Sequence, residues 1–412
     1  MRRDVIAGNA LEEWRMESMP TDVRVPFRKS RVRSALGRVG RWTVVAIVVG
    51  LALIGFLHLT RGTAVRHVRS VSSDRIPIGM GEPEVPLMAT MATGAWLAPG
   101  NRVQVLLNGV IATRYEPQAS WSSRSGRSGS PRSISHRIAR TFGASVIDSR
   151  VGWTGGFGID DKWFGDGRTN GSWRETNVRF EGPAVRQLQA AFVAAWVEAT
   201  GVMLTGHATL SPQENGVAAA GLLYTAPTLG STAAERFVAL SIAGARKTLY
   251  ITNSYFAPER SFIDLPAAAA KRGVDVRILA AGPRTDVNIV RNAGRAWYGT
   301  LLDAGVRVFE WQPSTLHANT FVADGQWSTI GSMNFDNRSM ALNDESTLII
   351  LDYTIGRQRH QIFVDDLRHA EEITLTTFRQ RSWWARLTER AANFVIRLLS
   401  ICAAFSPSAI HR

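Results

Sequence analysis

His317-Ala318-Asn319-Thr320-Phe321-Val322-Ala323-Asp324-Gly325 is followed shortly by Gly331-Ser332-Met333-Asn334. Apolar runs at 316–323 and 327–331 flank Asp324-Gly325, a turn pair that strongly favours a β-hairpin. Side chains two apart on a strand share a face, so His317 and Asn319 project together. Ser332 and Asn334, at the end of the returning strand, bring hydroxyl and amide donors to the same space. Asp324 sits at the turn, better placed to brace the hairpin than to react. Glu345 precedes a further strand, 346–351, and is positioned to accept the second ring N–H of His317 and so fix its tautomer. An imidazole held by a carboxylate beside uncharged donors suits phosphoryl chemistry, in which nucleophile, acid and oxyanion donors must converge. A lone histidine on a strand is more often just a partly buried side chain. The ordered set Ser332, Asn334 and Glu345 weighs against that here.

A fainter copy of the hairpin lies 176 residues upstream. Val146-Ile147-Asp148 answers Val322-Ala323-Asp324, and Thr154-Gly155-Gly156 answers Ile330-Gly331-Ser332. The same offset places Thr141 opposite His317, Gly143 opposite Asn319 and Gly158 opposite Asn334. Two related half-sites predict a pseudo-symmetric molecule with its reaction centre between the halves. One half is chemically blank.

Outward from the hairpin, strands and helices alternate. Helices are predicted at 182–199, 232–244, 265–272, 287–304 and 357–373. Strands are predicted at 102–108, 144–148, 150–154, 247–253, 274–280 and 306–311, besides those of the hairpin and 346–351. Such alternation argues for a layered α/β domain.

The 412 residues carry 48 basic against 34 acidic side chains, a net charge of +14. That balance favours anionic partners, phospholipid headgroups or nucleic acid, although Arg-rich stretches at 24–41, 61–75 and 124–140 hold much of it. A single cysteine, Cys402, excludes an intrachain disulfide and a cysteine-based metal cage. Residues 42–59 read WTVVAIVVGLALIGFLHL without a charge, close to the ~20 residues that cross a bilayer. The predicted organisation is a basic cytoplasmic leader at 1–41, a transmembrane helix at 42–60 and a tether at 61–100. The first domain follows at 101–229, interrupted by a disordered Ser/Arg tract at 117–135. A second domain spans 230–381, and 382–412 form an amphipathic, membrane-associated tail. Cationic residues lie on both flanks of the apolar span, with the bias toward a cytoplasmic N-terminus. The location expected is a single-pass inner (cytoplasmic) membrane. In the tail, Trp384, Leu387, Ala391, Phe394, Leu398 and Cys402 fall on one helical face, with Arg386, Arg390 and Arg397 elsewhere. That pattern suits a membrane interface, or packing on the domain or a sister chain.

The stretch LHANTFVADGQWSTIGSMNFDNRSMALNDE, residues 316–345, resembles the second motif of bacterial cardiolipin synthases in the phospholipase D superfamily, whose pattern is HxKxxxxDG followed by GSxN. The likeness extends through YFAPERSF, KRGVDVRILAAGPRTD, GVRVFEWQPS and the acidic pair Asp365-Asp366. In the upstream half it extends through GWTGGFGIDDKW and EGPAVRQLQAAFVAAWVEATG. The resemblance implies a phospholipase D-like layered sheet with flanking helices, built as two pseudo-repeat domains of which the first is incomplete. It also implies transfer of a phosphatidyl group through a histidine, with a phosphatidylglycerol-like anionic phospholipid as substrate and no metal or other cofactor. By resemblance the catalytic set is His317, Glu345 and Asp324, with Asn319, Ser332 and Asn334 holding phosphate. The degenerate first motif is Thr141, Gly143, Asp148, Gly155 and Gly156.

The chain departs from the family pattern in three places. The motif lysine is Asn319, so an ammonium becomes a neutral amide. The first-motif histidine and lysine are replaced by Thr141 and Gly143, and His136 lies out of register to substitute. Little chain separates the strand at 102–108 from Asp148, which leaves the first domain short of sheet, as a deletion or reading-frame slip would. The leading expectation is therefore an impaired phosphatidyltransferase. A catalytically inactive relative that binds lipid or phosphate is the alternative, and a nuclease-type phosphodiesterase is less favoured because of the apolar span and tail. A homodimer would offer a second His317.

Overall fold

The computed structural model describes Gly50 and residues 97–107, 143–156, 158, 160–169, 171–200, 214–225, 233–336, 339–340 and 343–404. The leader, the tether as far as residue 96, the Ser/Arg tract, His136 and Thr141 lie outside these residues, as does the apolar span apart from Gly50. The last residues of the predicted tether are strand instead, which begins at Ala98. Among the described residues, no helix is long and apolar enough to cross a membrane. The chain divides into two units, Met1–Phe56 and Leu57–Arg412, and every strand and helix named below belongs to the second.

Among the described residues, twelve strands form one sheet. They are β1 (Ala98–Leu107), β2 (Ala144–Ile147), β3 (Val151–Thr154), β4 (Thr176–Glu181), β5 (Ala218–Thr225) and β6 (Thr248–Asn253), then β7 (Asp275–Ala281), β8 (Arg307–Trp311), β9 (Asn319–Ala323), β10 (Trp327–Gly331), β11 (Glu345–Leu351) and β12 (Ala370–Ile373). Their order across the sheet is β2-β3-β4-β1-β5-β11-β10-β9-β6-β7-β8-β12. Among these described strands, only β6–β7 and β7–β8 pair in parallel. These three are near-continuous apolar strands, buried on both faces by the helices that connect them.

The helices are α1 (Ala184–Thr200), α2 (Ala233–Gly244), α3 (Arg260–Lys271), α4 (Asn288–Arg295), α5 (Tyr298–Asp303), α6 (Tyr353–Leu367), α7 (Leu375–Arg379) and α8 (Trp383–Ala404). Alternation along β11 builds two cores. Ile349 joins Phe237, Ile242, Phe262 and Tyr298 on one face of the sheet. Leu348 and Ile350 join Phe180, Leu188, Ile355 and Ile362 on the other.

The strand order is a palindrome about the β1–β5 seam. The run β2-β3-β4-β1 repeats β9-β10-β11-β5. Both hairpins turn in the same way. Asp148 and Ser149 have φ of 51° and 55°, Asp324 and Gly325 have 54° and 66°, and Arg150 N→Ile147 O (3.0 Å) matches Gln326 N→Ala323 O (3.2 Å). The upstream copy seen in the sequence is thus a structural repeat. In the second half the sheet continues past β9 through β6, β7, β8 and β12. Among the described residues nothing stands beyond β2.

Several predicted elements move. The strand expected at 316–323 begins at Asn319, because Leu316 bridges Arg174 and the His317 N–H donates to Arg174 O (2.8 Å). The helix at 287–304 is two helices, α4 and α5. Trp297 N bonds Gly294 O (3.0 Å) to tighten the turn between them, and burial of Ala293, Tyr298 and Leu301 preserves the apolar spacing across the break. The helix at 357–373 is α6 followed by β12. It starts at Tyr353, where the Asp352 side chain accepts from Ile355 N (2.9 Å) as an N-cap. Strands β4 and β5 were not anticipated. The small residues of β5 carry little strand propensity, and β4 buries the polar Thr176, Asn177 and Glu181 along with Val178 and Phe180, which blurs its apolar alternation.

Candidate active site

His317 leads into β9, and Glu175 leads into β4 in the other half. The His317 Nδ1 and Glu175 Oε2 atoms are 2.7 Å apart, and Glu175 is 1% exposed against 19% for the imidazole. Burial pushes the Glu175 carboxyl up, opposed by the hydrogen bond and charge of His317 and by the Thr176 N–H that donates to its other oxygen (2.7 Å). Three rings fix the imidazole plane. The centroids of Trp163 and Trp173 lie 5.1 Å from it and that of Tyr255 lies 5.9 Å away. Gly156 closes the back of the pair, where a Cβ would overlap Glu175 Oε2 and stand 2.9 Å from His317 Nδ1. Only glycine admits that approach.

Arg174 fastens both partners. Its backbone carbonyl accepts from His317 N (2.8 Å), and its guanidinium donates to the Glu175 carbonyl and to Thr176 Oγ1 (3.0 Å). The same guanidinium grips Asp366 on α6 through two bonds of 3.1 and 2.6 Å, the fork geometry arginine forms with carboxylates.

The predicted phosphate ligands Asn319, Ser332 and Asn334 are joined in one polar network. The Asn319 Oδ1 atom accepts from Asn253 Nδ2 (3.0 Å) and Ser254 N (3.2 Å), while its Nδ2 donates to Ser332 O (3.1 Å). The Ser254 hydroxyl sits between Asn319 Oδ1 (3.0 Å) and Asn334 Oδ1 (2.7 Å). Asn334 Nδ2 donates to Ser339 Oγ (3.2 Å), and Ser332 Oγ accepts from Ser346 N (3.0 Å). Asn319 is buried, so its amide ties β9 to β6 and to the end of β10.

Glu345 does not take the place predicted for it. It accepts from Ser339 Oγ (2.8 Å) and Asn343 Nδ2 (3.0 Å), and burial pushes its carboxyl up to about 8, opposed by hydrogen bonds from Ser332, Asn343 and Ser339. The carboxylate behind His317 is Glu175. The two glutamates head equivalent strands, β4 and β11, and Glu175 reaches from one half into the other. Sequence reasoning missed it because the loop between Gly156 and β4 is longer than the one between Ser332 and β11, so a constant offset does not align them. Arg174, Asn253, Ser254 and the aromatic cage were missed too, since their link to His317 exists only across distant segments.

Asp324 does not join His317. It lies at the far end of the hairpin, where its carboxylate accepts from the N–H groups of Arg246 (3.0 Å), Lys247 (2.7 Å) and Thr248 (2.9 Å). Asp148 occupies the equivalent turn and is exposed. Of the upstream glycines, Gly156 meets the His317–Glu175 pair, and a Cβ on Gly143 would stand 3.6 Å from Ser332 Cβ. The Thr154 hydroxyl donates to Ser346 O (3.0 Å) across the seam. The two half-sites therefore face each other.

Residues 239–367 match the family described as cardiolipin synthase, PLD-like domain. This segment is similar to a phospholipase D-like domain. A cardiolipin synthase of Geobacillus thermodenitrificans (strain NG80-2) is 33% identical over 257 residues, 62% of this chain and 51% of that protein. One from Staphylococcus aureus (strain Mu50 / ATCC 700699) is 32% identical over 257 residues, 62% and 52% of the two chains. The chain spans about half the length of these curated relatives. Among solved structures, the phosphatidylserine synthase of Haemophilus influenzae Rd KW20 superposes with a TM-score of 0.48 at 13% identity, over 71% of this chain and 79% of that one. The family match over residues 239–367 carries the phospholipase D-like resemblance read from residues 316–345 beyond the motif.

Proposed function

We propose that this chain is a phosphatidyltransferase of the cardiolipin synthase type, acting slowly on a phosphatidylglycerol-like anionic lipid. The observation that carries the reading is the buried His317–Glu175 pair, 2.7 Å apart and contributed by opposite halves. A carboxylate on Nδ1 fixes the tautomer and leaves Nε2 as the reacting nitrogen. As the imidazolium, His317 then donates its Nε2 proton to the departing glycerol oxygen while the hydroxyl oxygen of a second lipid, or of water, bonds to phosphorus, and the proton of that hydroxyl returns to Nε2. Slowness follows from Thr141 and Gly143 in the upstream half, where the family resemblance calls for a second imidazole and an ammonium. Loss of one preorganised donor alone costs roughly 10²–10³ in rate. The body is tethered to the inner membrane by the apolar span at 42–60, with the leader at 1–41 cytoplasmic.

The test is a lipid-product assay on the full chain supplied with phosphatidylglycerol. Conversion to cardiolipin plus glycerol, or hydrolysis to phosphatidic acid, is expected, and His317→Ala abolishes it. Lipid binding without any product would overturn the reading in favour of an inactive lipid- or phosphate-binding relative. The observation that favours this second reading is the engagement of the Asn319 amide with Asn253, Ser254 and Ser332.

A further inference from the structure

Helix α8 has two apolar faces, and among the described residues only one is packed inside the fold. Ala392 is buried against Ala257 and Ala293, with Ile396 and Val290 packed alongside. Asn393 Nδ2 donates to Ala293 O (3.1 Å). Glu389, 3% exposed, receives Arg295 Nε (3.2 Å) and Arg381 Nε (2.9 Å). This face fixes the helix to α4. The opposite face presents Trp383, Trp384, Leu387, Ala391, Phe394 and Val395 to the exterior. The two tryptophans are 61% and 59% exposed and Phe394 is 68% exposed. The Trp383 and Trp384 rings stack at 3.8 Å. At 3.6 residues per turn, Arg386, Arg390 and Arg397 fall in one file along the border between the two faces.

We infer that the outer face of α8 is a docking platform for the surface of an anionic bilayer. This inference rests on the proposed lipid substrate and adds the means by which the body meets it. Three observations choose a bilayer as occupant. A contiguous exposed apolar patch calls for a cover. Exposed tryptophans with an apolar body and a polar N–H suit the headgroup boundary. A border of arginines on a chain of net charge +14 complements anionic headgroups. The helix has 22 residues, about 33 Å at 1.5 Å per residue, and with its arginine file it is built to lie in the interface. The platform also connects to the site. A Cβ on α4 at Gly294 would overlap the Phe256 carbonyl, and the neighbouring Tyr255 ring stands against His317.

The test places one nitroxide on the full chain. Cys402, the only cysteine, is changed to Ser, and label is attached at Leu387→Cys, Phe394→Cys or, as a water-exposed reference, Glu371→Cys. In vesicles of phosphatidylglycerol and phosphatidylcholine, the labels at 387 and 394 are expected to gain oxygen accessibility. They should also lose nickel-chelate accessibility several-fold relative to 371. Nickel accessibility equal to that of 371 overturns the platform. So does lipid-independent dipolar coupling between copies, which would make the face a contact between chains. Protection from both reagents would mean that a segment of the chain covers the face, and this too overturns the platform. Turnover separates this from the reaction itself. Leu387→Glu with Phe394→Glu is expected to lose about ten-fold or more on vesicles and to retain turnover on dispersed short-chain phosphatidylglycerol. If no chain turns over either substrate, the enzymatic reading fails while the label result still decides the platform.

Discussion

Glu175 and Glu345 are buried carboxylates at the heads of equivalent strands, and their different partners give them different chemistry. Glu175 holds His317, so Glu175→Gln keeps the shape of the pair and removes the charge that supports an imidazolium. By analogy with triad carboxylates, kcat is expected to fall by about 10²–10⁴ with KM little changed, measured by steady-state assay on phosphatidylglycerol. An equal rise in KM with kcat intact would assign Glu175 to substrate binding instead. Glu345 is surrounded by the hydroxyl of Ser339 and the amide of Asn343, and its carboxyl rises from 4.5 to about 8. A raised folded-state value means the stabilising contribution is complete below the unfolded value and is lost as pH climbs through 8. The wild-type melting temperature should therefore fall relative to Glu345→Gln between pH 5 and pH 9, followed by calorimetry. Parallel curves would mean Glu345 is ionised throughout that range. The hairpin that carries His317 and Ser332 was legible because turn and strand rules act between neighbours in sequence. Glu175 was not, because its contact with His317 is created by the packing of two halves.

Among elements, the hairpin β9–β10 and helix α8 lie close to where sequence placed them. Their periodicities are strong, and their ends are set by Asp324-Gly325 and by the apolar spacing from Trp383. Strands β4 and β5 were missed for the reason that makes them important. They form the seam with β1 and β11, where polar and small side chains are buried against other backbone. The join between the β4 entry and α6 depends on Arg174 and Asp366, whose side chains are 4% and 5% exposed. Breaking a buried pair from one side leaves a stranded charge and costs about 3–5 kcal/mol. Arg174→Ala and Asp366→Ala should each destabilise by that order in urea titrations, and the double variant should lose less than the two together. Because the Arg174 guanidinium also donates to the Glu175 carbonyl and to Thr176 Oγ1 beside the His317 partner, Arg174→Lys should lower kcat more than it lowers stability. Strict additivity, or kcat falling only as far as the folded fraction falls, would reduce the pair to scaffolding.

At the scale of the molecule, a palindromic sheet joins a half that carries His317 to a half whose matching positions are Thr141 and Gly143. The second half extends four strands past its hairpin, and among the described residues the first half has no counterpart to them. The interval before Asp148, where the sequence predicts a shortfall of sheet, lies largely outside the described residues. The consequence is that activity is not restored by returning family residues one at a time. Asn319 accepts from Asn253 and Ser254, so Asn319→Lys leaves those buried donors unmatched, at about 1–3 kcal/mol. Gly143 has φ of 31°, and a Cβ there would overlap the Gly155 carbonyl. Gly143→Lys is thus strained by a further 1–3 kcal/mol or so. Each single variant is expected to unfold at lower urea without a gain in phosphatidyl transfer. Combining Asn319→Lys with Thr141→His is expected to raise turnover at least about ten-fold over either change alone, since a donor and an acid act in one transition state. A single variant that gained this activity on its own would show that the two halves do not share a reaction centre.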